Sequence, residues 1–164
     1  HSTSSAASDV YKRQVLGSGP SSLVRIEGAF PGIRKWHSAI ANQLKENSAL
    51  TTPLGRRRQF WGRIEDGTTL RKAIAYVPQS TIGDLLNLGL YRVWKELKDD
   101  GVDILGQVHD AILGQFPKSK ADVIVPKILH CMKNPIEVNG RQMIIPSDCE
   151  IGPNWKDMKK YVKN

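Results

Sequence analysis

The sequence predicts an α+β fold, long helices packed against a small antiparallel sheet. Two kinds of pattern carry that reading. Apolar residues recur at helical spacing in three long stretches, and short β-prone runs meet at tight-turn signals. No tandem repeat of domain scale competes with it; the only duplication is the tetrapeptide Ile-Leu-Gly-Gln at 104–107 and 112–115.

The chain has 164 residues, enough for one domain or a piece of a larger one, with 40% hydrophobic and 24% charged residues. Its net charge of +8 favours a polyanionic partner, most often nucleic acid. No apolar run approaches the roughly 18–20 residues that span a bilayer, so no membrane association is expected. Cys131 and Cys149 are the only cysteines and form no C-x-x-C pair. Two cysteines cannot build a disulfide scaffold, so a reducing cytoplasm is the expected location.

Residue 1 is His, and the opening "HSTSSAASDVYKRQ" lacks the apolar core of a signal peptide. Residues 1–14 read as a disordered or non-native extension and "GSGPSS" at 17–22 as a flexible connector, which places the domain at 23–164. The first helix follows Pro31-Gly32, with Ile33, Trp36, Ile40 and Leu44 at helical spacing, and ends near Asn47-Ser48. Two short strands, Ala49–Thr52 and Gln59–Ile64, are expected around a turn at Pro53-Leu54-Gly55 that also carries Arg56, Arg57 and Arg58. Guanidinium forks on a loop beside Phe60 and Trp61 can clamp phosphate; the same residues also suit a solvated basic turn.

A second helix starts at Thr68, with Leu70, Ala73, Ile74 and Val77 on one face, and Pro78 should break or kink it. A longer helix is then expected from Gln79 to Lys98. Its apolar stripe is Ile82, Leu85, Leu86, Leu90, Val93, Trp94 and Leu97, and Gly101 is its left-handed stop. The run "DILGQVHDAILGQF" reads as two buried strands, 103–108 and 111–116, joined by a turn at His109-Asp110. A helix within 118–133 is interrupted or started by Pro126, and Asn139-Gly140 signals another hairpin. A strand at "DCEIG" precedes a basic tail carrying Lys156, Lys159, Lys160 and Lys163.

The chemistry concentrates at His109-Asp110. By itself the pair is explained by the turn preference of Asp. A functional role would need a metal, because one carboxylate can hold Mg²⁺ but cannot place two ions for an in-line phosphoryl displacement. Asp99, Asp100 and Asp103 lie at the far end of the strand from the turn, so none is a convincing partner.

Five blocks in order resemble family A DNA polymerases, the group of bacterial DNA polymerase I and many phage replicases. "FPGI" at 30–33 resembles their Tyr-Pro-Gly-Val helix start, and "LTTPLGRRRQF" at 50–60 their Gly-Arg-Arg hairpin. "RKAIAYVPQSTIGDLL" at 71–86 is similar to an Arg-x-x-Ile-x-x-x-Pro-x-Gln-Gly-x-x-x-Asp helix. "QVHDAIL" at 107–113 resembles motif C, Gln-Val-His-Asp-Glu, and "EIGPNW" at 150–155 the terminal Glu-x-Gly-x-x-Trp segment.

The resemblance implies partial fingers, about 23–98, and part of a palm, about 99–164, of a right-hand polymerase. It implies that Asp110 ligates Mg²⁺ and that His109 contacts the primer terminus. Arg71 and Gln79 would face the minor groove, whose acceptors are nearly independent of sequence. Arg56 and Arg57 would hold backbone phosphate, and Gln107 joins the DNA-binding set. The implied reaction is two-metal nucleotidyl transfer from dNTP to a primer 3′-hydroxyl on primer–template DNA, by an enzyme expected to be a monomer.

Ala111 replaces the usual Glu, a loss expected to be tolerated; Ala75 stands at a common Asn and Ser80 at a Gly. The family's motif A Asp and its dNTP-binding fingers helix have no counterpart in the sequence, so the isolated chain is expected to polymerise nothing. The ending and Ala111 lean toward a phage-type enzyme. Two alternatives stay open: a single-subunit RNA polymerase, whose motif C also carries His-Asp, and a non-enzymatic basic DNA-binding module.

Overall fold

The computed structural model describes residues 30–63 and 67–162. The expected extension and connector at 1–22, the strand end at Ile64 and the tail residue Lys163 lie outside them. Among the described residues, three α-helices and eight short strands follow in the order α1 (Gly32–Asn47), β1 (Ala49–Thr51), β2 (Arg57–Gln59), α2 (Gly67–Leu97), β3 (Asp103–Val108), β4 (Ala111–Gln115), α3 (Ala121–Met132), β5 (Pro135–Val138), β6 (Arg141–Ile144), β7 (Glu150–Ile151) and β8 (Lys159–Lys160). The class is α+β, as expected. The expected single sheet is instead four separate two-stranded ribbons: β1–β2, β3–β4, β5–β6 and β7–β8. No helix among the described residues is long and apolar enough to cross a membrane.

Packing divides the described residues into two units, 30–50 with 59–74 and 51–58 with 75–162. In the first, Ile40, Leu44, Ala49, Leu50, Phe60 and Ala73 are the buried apolar residues. Ser48 takes a left-handed φ of 51° and closes α1, its N–H donating to the Leu44 carbonyl at 2.8 Å. Phe60 N–H then donates to the Ser48 carbonyl at 2.8 Å.

Helix α2 corrects the expectation at Pro78, since it runs unbroken from Gly67 to Leu97 with the proline inside. Withholding one amide and crowding the Ile74 carbonyl costs about 3 kcal/mol. Burial of Tyr76, Leu85 and Leu86 close by stabilises the helix by about 1.5–3 kcal/mol each, which outweighs that cost. Pro78 itself is exposed. Pro126 likewise sits inside α3 without interrupting or starting it.

The core of the second unit joins Val93 and Leu97 of α2, Val102, and Ile124 and Cys131 of α3, with Ile104, Phe116 and Ile128 packed against them. Two members of the expected stripe, Ile82 and Trp94, are exposed instead; Trp94 is covered in part by the ammonium of Lys98, 5.4 Å from its ring centroid. The helices approach closely at Gly89, where a Cβ would lie 3.5 Å from the Met132 Cα. Arg92 Nη1 donates to the Asn134 side-chain carbonyl at 2.9 Å and ties the end of α3 to α2. Gly101, at φ 86°, ends the turn after α2 as expected.

Strands β3 and β4 were expected to be buried. They are half-buried at Ile104, Gly106, Ile112 and Leu113, whereas Leu105 and Val108 are exposed. A two-stranded ribbon buries only the face that meets the helices. Ile104 pairs with Gly114 and Gly106 with Leu113, leaving Leu105 as an unpaired bulge. The two Ile-Leu-Gly-Gln copies therefore face each other across one hairpin. Asn139 and Gly140 take φ 52° and 75° and join β5 to β6, as their dipeptide predicts. Part of the basic tail is ordered as β8: it pairs with β7, and the Tyr161 hydroxyl donates to Asp122 Oδ1 at 3.1 Å.

Val108 pairs with Ala111, so the β3–β4 loop is His109-Asp110 alone. His109 takes φ 55° and Asp110 keeps a negative φ, so the left-handed position falls on the histidine. A left-handed β-branched residue is penalised by about 1–2 kcal/mol, whereas Asn is at home there. His109→Val should lower unfolding free energy by about that amount in urea, and His109→Asn should change it by less than about 0.5 kcal/mol.

Burial, followed by a hydrogen bond from Sγ to Glu96 Oε2 (3.4 Å), pushes the Cys131 thiol from an ordinary value near 9.0 up to about 11. The folded chain thus keeps a proton that the unfolded chain has lost between those values, so its stability falls as pH rises through that window. Cys131→Ala should remove this component. Its unfolding free energy, compared with the wild type by urea titration from pH 8 upward, should decline less between about pH 9 and about 11.

Candidate functional site

Each predicted site residue is placed by one of three elements: the β3–β4 hairpin, the β1–β2 hairpin, or helix α2. At the hairpin tip His109 and Asp110 are both exposed, and neither forms a hydrogen bond or ion pair among the described residues. Because His109 rather than Asp110 supplies the positive φ, the left-handed preference of Asp does not account for an Asp at 110. The bulge at Leu105 bends the ribbon below the tip, a device that re-aims the residues beyond it. Gln107, opposite Ile112, is exposed on the same strand.

Two of the neighbouring acids have other partners. Asp100 accepts from Lys127 Nζ at 2.6 Å, and that bond holds its carboxyl below the usual range. Asp103 accepts from Gln115 Nε2 at 3.3 Å at the open end of the hairpin. Asp110 instead lines a cleft of about 580 Å³ in the second unit, shared with Asp148, Glu150 and Trp155 among others. Asp148 pairs with Lys160 at 3.0 Å. No group of three His, Cys, Asp or Glu side chains among the described residues gathers closely enough to hold a metal ion. A single carboxylate does not fit Mg²⁺, which takes six ligands in a near-octahedral arrangement. The described residues therefore do not by themselves make up a metal site.

The turn between β1 and β2 is built on Thr52. Gly55 takes φ 87° and its N–H donates to the Thr52 carbonyl at 2.9 Å, while Thr52 N–H donates to the Arg56 carbonyl at 2.9 Å. The arginines were all expected on this turn; Arg57 and Arg58 lie instead in β2, because pairing resumes one residue after the turn closes. Arg56 does not point a free fork at solvent. Its Nε donates to both oxygens of Asp84, at 2.9 and 3.0 Å, and its Nη2 also binds Oδ1. That bond raises the Arg56 pKa above its ordinary value. Arg58 lies over the Tyr76 ring, 5.5 Å from the centroid, and Arg57 is exposed.

On α2, Arg71 belongs to the first unit and Gln79 to the second. Arg71 Nη2 donates to Thr68 Oγ1 at 3.3 Å, one turn earlier on the helix, and Gln79 is exposed just after Pro78. Sequence reasoning missed Thr52, Tyr76 and Asp84. One signal was present: Asp84 is the residue that ends the Gln-Gly-x-x-x-Asp-like pattern, but no spacing rule connects it to an arginine 28 residues away.

The family profile of DNA polymerase family A matches residues 25–157. DNA polymerase I of Deinococcus radiodurans is 30% identical over 137 residues, which cover 79% of this chain and 14% of that protein. DNA polymerase I of Chloroflexus aurantiacus is 26% identical over 137 residues, with the same two shares of 79% and 14%. The chain thus spans about a seventh of the length of these relatives. A solved structure of the POL domain of Pol1 from M. smegmatis, in complex with DNA primer-template and dNTP, superposes with a TM-score of 0.63 at 23% identity. It covers 81% of this chain and 26% of that one, and it shows the same fold. With a family match across most of its length, the chain belongs to DNA polymerase family A.

Proposed function

We propose that this chain is the C-terminal part of a DNA-directed DNA polymerase, with fingers residues at about 23–98 and palm residues at about 99–164. The observation that carries the reading is Asp110. Its carboxylate has no partner among the described residues and stands exposed at a two-residue turn whose left-handed position belongs to its neighbour. In a family A chain, such a carboxylate matches the Asp of motif C.

Family A polymerases generally use divalent metal ions. We assign Asp110 as one ligand of such a site, for Mg²⁺ and with two ions in the complete enzyme; the other ligands lie beyond the described residues. When bound, the metal supplies stabilisation of charge on the transferring phosphoryl group. This chain's own side chains then position the nucleic acid. His109 reaches the primer terminus from the adjoining turn position, and Gln107 contacts DNA from the same hairpin. Arg71 and Gln79 on α2 meet minor-groove acceptors, where base-pair shape is tested without reading sequence. Arg56 and Arg57 belong to the basic hairpin that meets backbone phosphate. The substrates are primer–template DNA and dNTP, and the complete enzyme acts as a cytoplasmic monomer. The profile that matches is that of the DNA enzymes, which favours them over single-subunit RNA polymerases.

In a complete polymerase carrying this segment, Asp110→Ala should lower primer extension on the order of a thousandfold, the equivalent of about 4 kcal/mol. Duplex binding, followed by fluorescence anisotropy, should stay close to wild type. In the same extension assay the 164-residue chain alone should incorporate no dNTP. Normal extension by the Asp110→Ala enzyme would leave the chain a basic DNA-binding module with a structural acid.

A further inference from the structure

We propose that Asp84 is a positioning residue: by binding Arg56 it fixes the basic hairpin against α2, so that Arg57 rather than Arg56 meets the DNA backbone phosphate. The inference rests on the functional reading above and refines the role of its two arginines.

Arg56 is held at three points. Its guanidinium binds the Asp84 carboxylate through Nε and Nη2. Its carbonyl accepts from the Tyr76 hydroxyl at 2.9 Å, and its N–H donates to Thr52 Oγ1 at 3.1 Å. Tyr76 and Thr52 are both buried, so these anchors belong to the body of the second unit and not to a mobile surface. The Asp84 side chain is only 16% exposed against 54% for Arg56, so the carboxylate depends on its arginine in place of water. A phosphate that captured the Arg56 fork would strip a half-buried acid of its partner. The pair carries no net charge and exerts little pull on a phosphate at a distance.

Arg58 is engaged by the Tyr76 ring. Arg57 lies between the two in β2, and alternate strand residues point to opposite faces, so it projects away from the side occupied by its neighbours. It is exposed and forms no ion pair among the described residues. Of the three guanidinium groups it is the one placed to release counterions on meeting a phosphate.

The sign of one measurement separates positioning from simple charge. Removing an acid from a DNA-binding surface should tighten binding if Asp84 acts only through its field. If Asp84 positions the hairpin, Asp84→Ala should weaken binding, by about tenfold, because the hairpin is released and Arg57 with it. The test is the affinity of a complete polymerase carrying this segment for a fluorescein-labelled primer–template duplex, measured across a salt series. Arg57→Ala should lower the slope of log affinity against log salt by about 1. The exchanged pair Arg56→Asp with Asp84→Arg should recover most of the lost affinity and keep the wild-type slope.

Thermal melting of each variant shows that it is folded. Asp84→Asn, which keeps the shape and loses the charge, carries the test if Asp84→Ala melts early; it too should bind more weakly than wild type. Wild-type or tighter binding by a folded Asp84 variant would overturn the inference, as would an exchanged pair that melts normally and stays weak. Extension that survives Asp110→Ala removes the metal reading and leaves this one standing. A wild-type polymerase that binds no duplex removes both.

Discussion

A two-stranded hairpin is marginally stable alone in water, and the fixed placement of Asp110 depends on what packs under β3–β4. The support is the apolar cluster of Val93, Leu97, Val102, Ile124 and Cys131, on which Ile104 and Phe116 rest. Each fully buried aliphatic side chain there contributes about 1.5–3 kcal/mol, far more than a turn preference can supply. The core joins the C-terminal half of α2 to α3 and gives the hairpin a rigid base. The bulge at Leu105 then sets the direction of the tip. The result is an exposed carboxylate at the end of a well-anchored ribbon, with no hydrogen-bond or ion-pair partner among the described residues.

The positive charge of the chain is spent unevenly. Some cations close structural contacts: Arg56 on Asp84, Lys127 on Asp100, Lys160 on Asp148, and Arg92 on Asn134. Others, Arg57 among them, stay open to solvent. A net charge of +8 counts both kinds alike, although only the second kind attracts a polyanion at close range. The basic hairpin contains one of each kind side by side.

Much of the fold was legible in the sequence because its signals are local. Helix α1 follows the spacing of Ile33, Ile40 and Leu44, and its exit at Ser48 is a capping event within one turn. The Asn139-Gly140 turn and the Gly101 stop need only the conformational freedom of the residues that occupy them. The His109-Asp110 tip was legible for the same reason, since a two-residue loop between alternating runs has few solutions. Which of the two residues takes the left-handed position was not, because both tolerate it.

The sequence by itself determined the family, the turns at His109-Asp110 and Asn139-Gly140 and the residue at the hairpin tip; each rests on neighbours in the chain or on a motif read in order. Only the tertiary structure decided that Pro78 and Pro126 lie inside helices, because the burial of their own helices' apolar residues, which outweighs a lost amide bond, exists only once the chain is packed. It alone separated the strands into four ribbons, left Ile82 and Trp94 at the surface, and gave Arg56 to a carboxylate 28 residues away. Those outcomes depend on partners distant in sequence, and no local pattern carries information about them.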